Sequence, residues 1–141
     1  MAIEILRVQP DAVAEFYRGA EREALKTFYG FSVIWHEQTH DFVARDGERV
    51  VGAATIRICA SLGHVEKVAV AEDARRHGVG RRLLDAADDL AKYYNCHKMT
   101  VLVPHRSAAQ EFFEACGYRE EAVLPQHTFK LDMTALRKFL L

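Results

Sequence analysis

The run Arg75-Arg76-His77-Gly78-Val79-Gly80-Arg81 has residue types and spacing suited to holding an anion. It follows an apolar stretch at residues 64–70 that reads as a strand. It opens a run with helical period at residues 79–94. A strand, a tight turn and a helix N-terminus present free backbone N–H groups in one direction, and the helix dipole adds partial positive charge there. Gly78 and Gly80 let a ligand approach backbone that side chains would cover. Such a site suits a pyrophosphate. A P-loop requires Gly, four residues, then Gly-Lys-Ser/Thr, and this run lacks it; a dinucleotide fingerprint requires a glycine where Leu83 stands. The bland alternative is a plain turn flanked by solvated arginines.

Two further groups of residues have chemical potential. His64 and Glu66 alternate along the strand at 64–70, so together with Val68 they are expected on one face. That would bring two titratable groups to one pocket, or leave a polar pair at a sheet rim. His36-Glu37-Gln38-Thr39-His40 spells His-Glu-x-x-His. On a helix its two histidines would share a face and hold zinc, with Glu37 as base, which is the rival reading of a metal-dependent hydrolase. The segment is short for that, and no third ligand stands in a suitable context.

The elements that must position these groups follow from period and punctuation. Residues 3–8 read as a short strand. Pro10 and Asp11 open a helix in which Val13, Phe16, Tyr17, Ala20, Ala24 and Phe28 form an apolar stripe, ended at Tyr29-Gly30. Residues 31–40 have room for a short second helix. Residues 41–45 and 49–60 suit a hairpin turning at Asp46-Gly47. The helix at 79–94 has Leu83, Leu84, Ala87 and Ala91 on one face, and residues 98–103 form an apolar strand stopped by Pro104. Ser107 is suited to cap a helix carrying Phe112, Phe113 and Cys116, closed by Gly117. Residues 127–133 alternate like a strand, and a short C-terminal helix is expected to follow. The order is mixed α/β around one sheet.

With 141 residues and no repeat or linker-like tract, the chain is read as one domain over 1–141. A net charge of −1 supplies no basic field for nucleic acid. Three cysteines, Cys59, Cys96 and Cys116, make no disulfide framework and point to a reducing compartment. No basic-then-apolar leader opens the chain, and no apolar run is long enough to span a membrane. A soluble cytoplasmic protein is expected, with neither membrane nor nucleic acid as partner.

Arg75-x-x-Gly78-x-Gly80 resembles the acetyl-CoA pyrophosphate motif of the GNAT acetyltransferases. Downstream, Ala109-x-x-Phe112-Phe113-x-x-x-Gly117-Tyr118 resembles that family's later motif, in the same order and spacing. Gly63-His64-Val65-Glu66-Lys67-Val68-Ala69-Val70 and Asn95-Cys96-His97-Lys98-Met99-Thr100 look locally like the glucosamine-6-phosphate N-acetyltransferases within it. The resemblance covers roughly residues 40–133.

The resemblance implies a GNAT fold, α/β (α+β), with a mixed, mostly antiparallel sheet splayed between the strands at 64–70 and 98–103 and flanked by helices. It implies acetyl-CoA as cosubstrate, no metal, and direct transfer to a primary amine, a small amine or an amino sugar phosphate. A protein amine or a polyamine is the alternative acceptor, and a catalytically weak acetyl-CoA-binding module is the alternative of another class. It implies that the backbone around Val68, Ala69 and Val70 binds the pantetheine arm. The turn of Arg75, Arg76, His77, Gly78, Val79, Gly80 and Arg81 would hold the phosphates, and Arg106, Phe112 and Phe113 would add cofactor contacts. Trp35, His36 and His40 lie where such enzymes shape the acceptor pocket. A homodimer is implied as well.

The chemistry sets its own demands. An alkylammonium with pKa near ~10 is neutral in about one part per thousand at pH 7. A proton acceptor is therefore needed, for which Glu66 is favoured with His64 as partner or alternative, and so are donors for the developing oxyanion. Three positions depart from the family pattern: Lys67 replaces an expected Asp, Arg106 an Asn, and Phe113 the Tyr that commonly protonates the leaving thiolate. Tyr118, Cys116 or water would have to replace that tyrosine. Cys116 lacks the neighbouring charges that would make it a nucleophile.

Overall fold

The computed structural model describes residues 1–140. The chain divides into two compact units, residues 1–35 and 36–141.

In the first unit, helix α1 (Pro10–Tyr29) starts with proline at its first turn, where a missing N–H costs nothing. It ends at Gly30, whose φ of +80° is left-handed and whose N–H donates to Lys26 O at 2.8 Å. Tyr29 stands edge-on to Phe28 and Trp35. Residues 1–9 form no strand, and residues 31–35 form no second helix.

The second unit is built on a six-stranded sheet. Its strands are β1 (Gln38–Asp46), β2 (Arg49–Cys59), β3 (Leu62–Val70), β4 (Lys98–Pro104), β5 (Arg119–Thr128) and β6 (Leu131–Phe139), in the spatial order β1-β2-β3-β4-β6-β5. Neighbours are antiparallel except β3 and β4. A short 3-10 turn at Glu72–Ala74 leads from β3 towards helix α2 (Val79–Tyr93). Helix α2 packs on β1, β2 and β3, burying Leu84, Ala87 and Ala91 in one core with Ile56, Ile58 and Val65, while the buried Leu83 lies beside Gly52 of β2. Gly63 is required there: a Cβ would collide with Met99 Sδ. Helix α3 (Ala108–Ala115) packs on β4 and β6. Ser107 caps it by accepting from the Gln110 N–H at 3.1 Å, and Gly117 closes it with φ +95°.

The C-terminal expectation needs correction. Residues 127–133 are not one strand but the join of β5 and β6, turned at Phe129 and Lys130, both left-handed at φ +51° and +66°. The expected C-terminal helix is instead β6, sandwiched between β4 and β5. The helix-compatible composition of 133–140 yields to pairing on both sides, with Thr134 and Leu136 fully buried.

Candidate active site

β3 and β4 pair at three rungs only: Leu62–Lys98, Gly63–Met99 and His64–Thr100. Beyond His64 the strands part, so the backbone groups of β3 on that side have no β4 partner. The gap opens into a cavity of about 1160 Å³. Residues 65–70 of β3, 101–103 of β4, the turn before α2 and one side of α3 form its wall.

The wide end is made by backbone. Arg76 and Gly78 are left-handed (φ +67° and +75°), which bends the chain sharply into α2. No side chain caps α2, and its first bond runs from the Arg82 N–H to Gly78 O. The N–H groups of Val79, Gly80 and Arg81 therefore lack helical partners. Gly80 is held by space: a Cβ there would come within 2.8 Å of Phe112 Cζ. Arg75, Arg76, Arg81 and Lys67 line the wall. Two of these arginines also brace the turn, since Arg75 Nε donates to Val70 O at 3.1 Å and Arg81 donates to Ala115 O at the end of α3.

At the narrow end, the last β3–β4 rung is also a side-chain pair, His64 Nδ1 and Thr100 Oγ1 at 2.7 Å. One residue later β3 bulges: Thr55 faces Lys67 and Ile56 faces Val65, leaving Glu66 as the extra residue. The expected shared face of His64, Glu66 and Val68 is therefore corrected. The bulge shifts the alternation, so Val68 packs against the same core as Val65. His64 and Glu66 still converge, through Arg57 of β2. Arg57 is the register partner of His64 and lies 2.9 Å from Glu66 Oε1 and 3.3 Å from Glu37 Oε1. Burial holds the half-buried His64 imidazole below its ordinary range; Glu66 pulls it up and Arg57 pushes it down. A neutral imidazole near neutral pH follows.

Of the cofactor residues expected from sequence, Val68, Ala69, Val70, Arg75, Arg76, Gly78, Val79, Gly80, Arg81, Phe112 and Phe113 line the cavity. His77 does not; it lines a separate hollow beside the β1–β2 hairpin. Nor does the exposed Arg106, whose left-handed backbone donates its N–H to Gln110 Oε1. Glu66 is in the wall, whereas His64 is not. Phe113 is buried edge-on against Phe112 and Tyr118. The Tyr118 hydroxyl is buried without a hydrogen-bond partner among the described residues, outside the wall, and burial raises its pKa. Cys116 reaches the wall, but burial pushes its thiol up, so it stays protonated at neutral pH.

Trp35 belongs to the first unit. His36 and Glu37 are in irregular chain, and His40 is on β1, stacked on Tyr94 and bonded to Gln38 Oε1. The zinc reading is thereby overturned: it needs one helical turn between the histidines, and the segment runs into a strand. Arg57 carried no motif and Thr100 ended the run at 95–100 without a role; strand register brings both to His64.

The donor set fits acetyl-CoA. Unpartnered helix N–H groups and arginines suit its pyrophosphate, and the unpaired edge of β3 suits its amide-bearing arm. Comparison with known proteins agrees. The model of the Acetyltransferase (GNAT) family matches residues 6–118. An uncharacterised N-acetyltransferase of Methanocaldococcus jannaschii is 34% identical over 126 residues, 83% of this chain and 76% of that protein. A glucosamine 6-phosphate N-acetyltransferase of Arabidopsis thaliana is 24% identical over 90 residues, 64% of this chain and 59% of that protein. An acetyltransferase structure from Bacillus cereus superposes with a TM-score of 0.72 over 97% of this chain and 98% of that one, at 19% identity. A protein described as a streptothricin acetyltransferase from Bacillus anthracis, solved with acetyl coenzyme A, gives 0.68 at 18% identity over 72% of this chain and 62% of that one. Fold, cavity and kinship agree: the chain belongs to the GNAT family and is an acetyl-CoA-dependent N-acetyltransferase.

Proposed function

We propose that the protein transfers the acetyl group directly to the primary amine of a small molecule, with Glu66 as proton acceptor and His64 as its partner. The observation that carries this reading is the placement of Glu66. It is a carboxylate in the wall of the cavity, two residues past His64, the last β3 residue paired to β4.

Acetyl-CoA, when bound, supplies an activated acetyl thioester. The N–H groups of Val79, Gly80 and Arg81 would hold its pyrophosphate, helped by Arg75 and Arg76. The open edge of β3 at Val68, Ala69 and Val70 would take the arm and offer N–H donors to the acetyl oxygen. Glu66 would receive the acceptor's ammonium proton, and the neutral imidazole of His64 is the nearby second acceptor. Phe113 brings no hydroxyl, and burial raises the Cys116 thiol, which stays protonated.

An amino sugar phosphate stays among the acceptors to try, because the Arabidopsis relative carries that name and the strand at 63–70 is similar. Lys67, where that local pattern has an acid, is the difference that bears on acceptor choice. Trp35, His36 and His40 belong to the proposal as acceptor-side residues by resemblance alone, as do a homodimer and a cytoplasmic setting. Among the described residues, no helix is long and apolar enough to cross a membrane. The reading of one domain rests on the family match, which runs from residue 6 to 118.

The test is thiol release from acetyl-CoA across an amine panel: glucosamine 6-phosphate, spermidine, an alkylamine and a peptide amine, with and without a zinc chelator. Turnover of a small amine, unchanged by the chelator, supports the proposal. Turnover of the peptide alone replaces the small-molecule part. Acetyl-CoA binding with no turnover of any amine favours the binding module.

A further inference from the structure

Arg57 has no part yet in the reaction. It stands on β2 as the register partner of His64, close to Glu66 on one side and Glu37 on the other. Glu66 is at a bulge, where the pleat no longer dictates the direction of a side chain. A long, partly exposed carboxylate at such a place samples many rotamers. The ion pair with the Arg57 guanidinium, at 2.9 Å, limits how far that carboxylate can swing. Glu37 in turn restrains the guanidinium. The nearest approach of the pair is Arg57 Nη1 to Glu66 Oε1 at 2.9 Å, and among the described residues Oε2 accepts no hydrogen bond.

We propose that Arg57 is a positioning residue for acetyl transfer: it holds one carboxylate oxygen of Glu66 and leaves the other free to take the acceptor's proton. The inference rests on Glu66 as proton acceptor. In the step served, an N–H bond of the acceptor ammonium breaks, the proton passes to Glu66 Oε2, and the electron pair stays on nitrogen. Arg57 keeps its own protons throughout. The titratable and charged groups around Glu66 are Arg57 from β2, Glu37 from the chain before β1, and the neutral His64 and charged Lys67 from β3 itself; β4 presents the uncharged Thr100. Arg57 also acts on His64, whose protonation it opposes.

The test uses the full chain with Arg57→Ala, Arg57→Lys and Glu66→Gln, each checked for folding by thermal unfolding. One readout needs no acceptor: NMR titration of the His64 imidazole. Arg57→Ala should raise its midpoint, because a cation leaves while Glu66 stays, and Arg57→Lys should fall between variant and parent. The second readout is the pH profile of kcat/KM with whichever panel amine turns over. Arg57→Ala should lower kcat/KM about tenfold, displace the acid limb and leave the KM for acetyl-CoA within about twofold. Arg57→Lys, keeping the charge without the fork, should recover part of the loss.

A uniform rate loss with the acid limb and the His64 midpoint both unmoved would make Arg57 merely structural and overturn the inference. With no amine turned over, an unmoved His64 midpoint in Arg57→Ala overturns it equally. The underlying reading fails separately: Glu66→Gln at the parental rate removes Glu66 whatever Arg57 does. A slow Glu66→Gln beside an Arg57→Ala of parental rate and profile sinks the Arg57 role alone.

Discussion

The two ends of the gap between β3 and β4 are built from different materials. At the wide end the donors are main-chain N–H groups, set by the left-handed turn through Arg76 and Gly78 and by the uncapped start of α2. At the narrow end the working groups are side chains from three strands and the chain before β1: His64, Glu66, Arg57, Thr100 and Glu37. A site made of backbone tolerates changes of side chain but not added bulk. A site made of side chains tolerates bulk nearby but not the loss of one functional group.

Gly80→Glu should give the largest effect of the changes that sharpen this contrast. It adds volume where a Cβ already meets Phe112, and a negative charge where the proposed reading puts the pyrophosphate. Acetyl-CoA affinity should fall at least about a hundredfold by calorimetry, with the fold retained. Gly80→Ala should lose less, and Phe112→Leu in the same chain should restore part of it; no restoration would break the bulk argument.

Glu66→Gln comes next. It should lower kcat/KM about a hundredfold at neutral pH while acetyl-CoA affinity stays within about twofold. A rate within twofold of the parent's would move the proton acceptor to His64.

Arg81→Ala separates a phosphate ligand from a brace. Because Arg81 donates to Ala115 O, the expected loss is about 1 kcal/mol of stability, with only a few-fold loss of acetyl-CoA affinity. A loss of affinity above tenfold with unchanged stability would reverse that assignment.

The smallest effect concerns His64. Its folded pKa is depressed by burial, so the unfolded chain binds the proton more readily. Its contribution is complete above the unfolded value of about 6.5 and is lost as pH falls through the folded value. His64→Gln should flatten the unfolding temperature over that window by about 1 °C. An unchanged slope would mean that His64 is solvated as freely in the folded chain as in the unfolded one.

The same contrast explains how much was legible beforehand. The wide end was written locally: two glycines, flanking arginines and a helical period lie within twenty residues, and a helix N-terminus offers its N–H groups whatever surrounds it. The Ser107 cap and Gly117 closure were legible for the same reason. The narrow end was not. Glu66 is a carboxylate at the gap, but its face depends on a bulge that no residue type announces. Arg57 is seven residues before His64 in sequence and beside it in the sheet. The turn at Phe129 and Lys130 was missed because neither residue is a usual carrier of positive φ.

By itself the sequence determined the glycine turn before α2, the helices with their caps and a mixed α/β order, since each is set by short-range pattern: glycine freedom, helix period, capping; the family and the splay of the sheet followed from the resemblance of its motifs. The tertiary structure alone decided which charged groups meet. Strand register sets Arg57 against His64, the bulge turns Val68 away from them, and a strand conformation at His40 removes the zinc site. Register and bulges arise from long-range pairing and packing, whose energy is shared among many residues and is therefore marked by no single one.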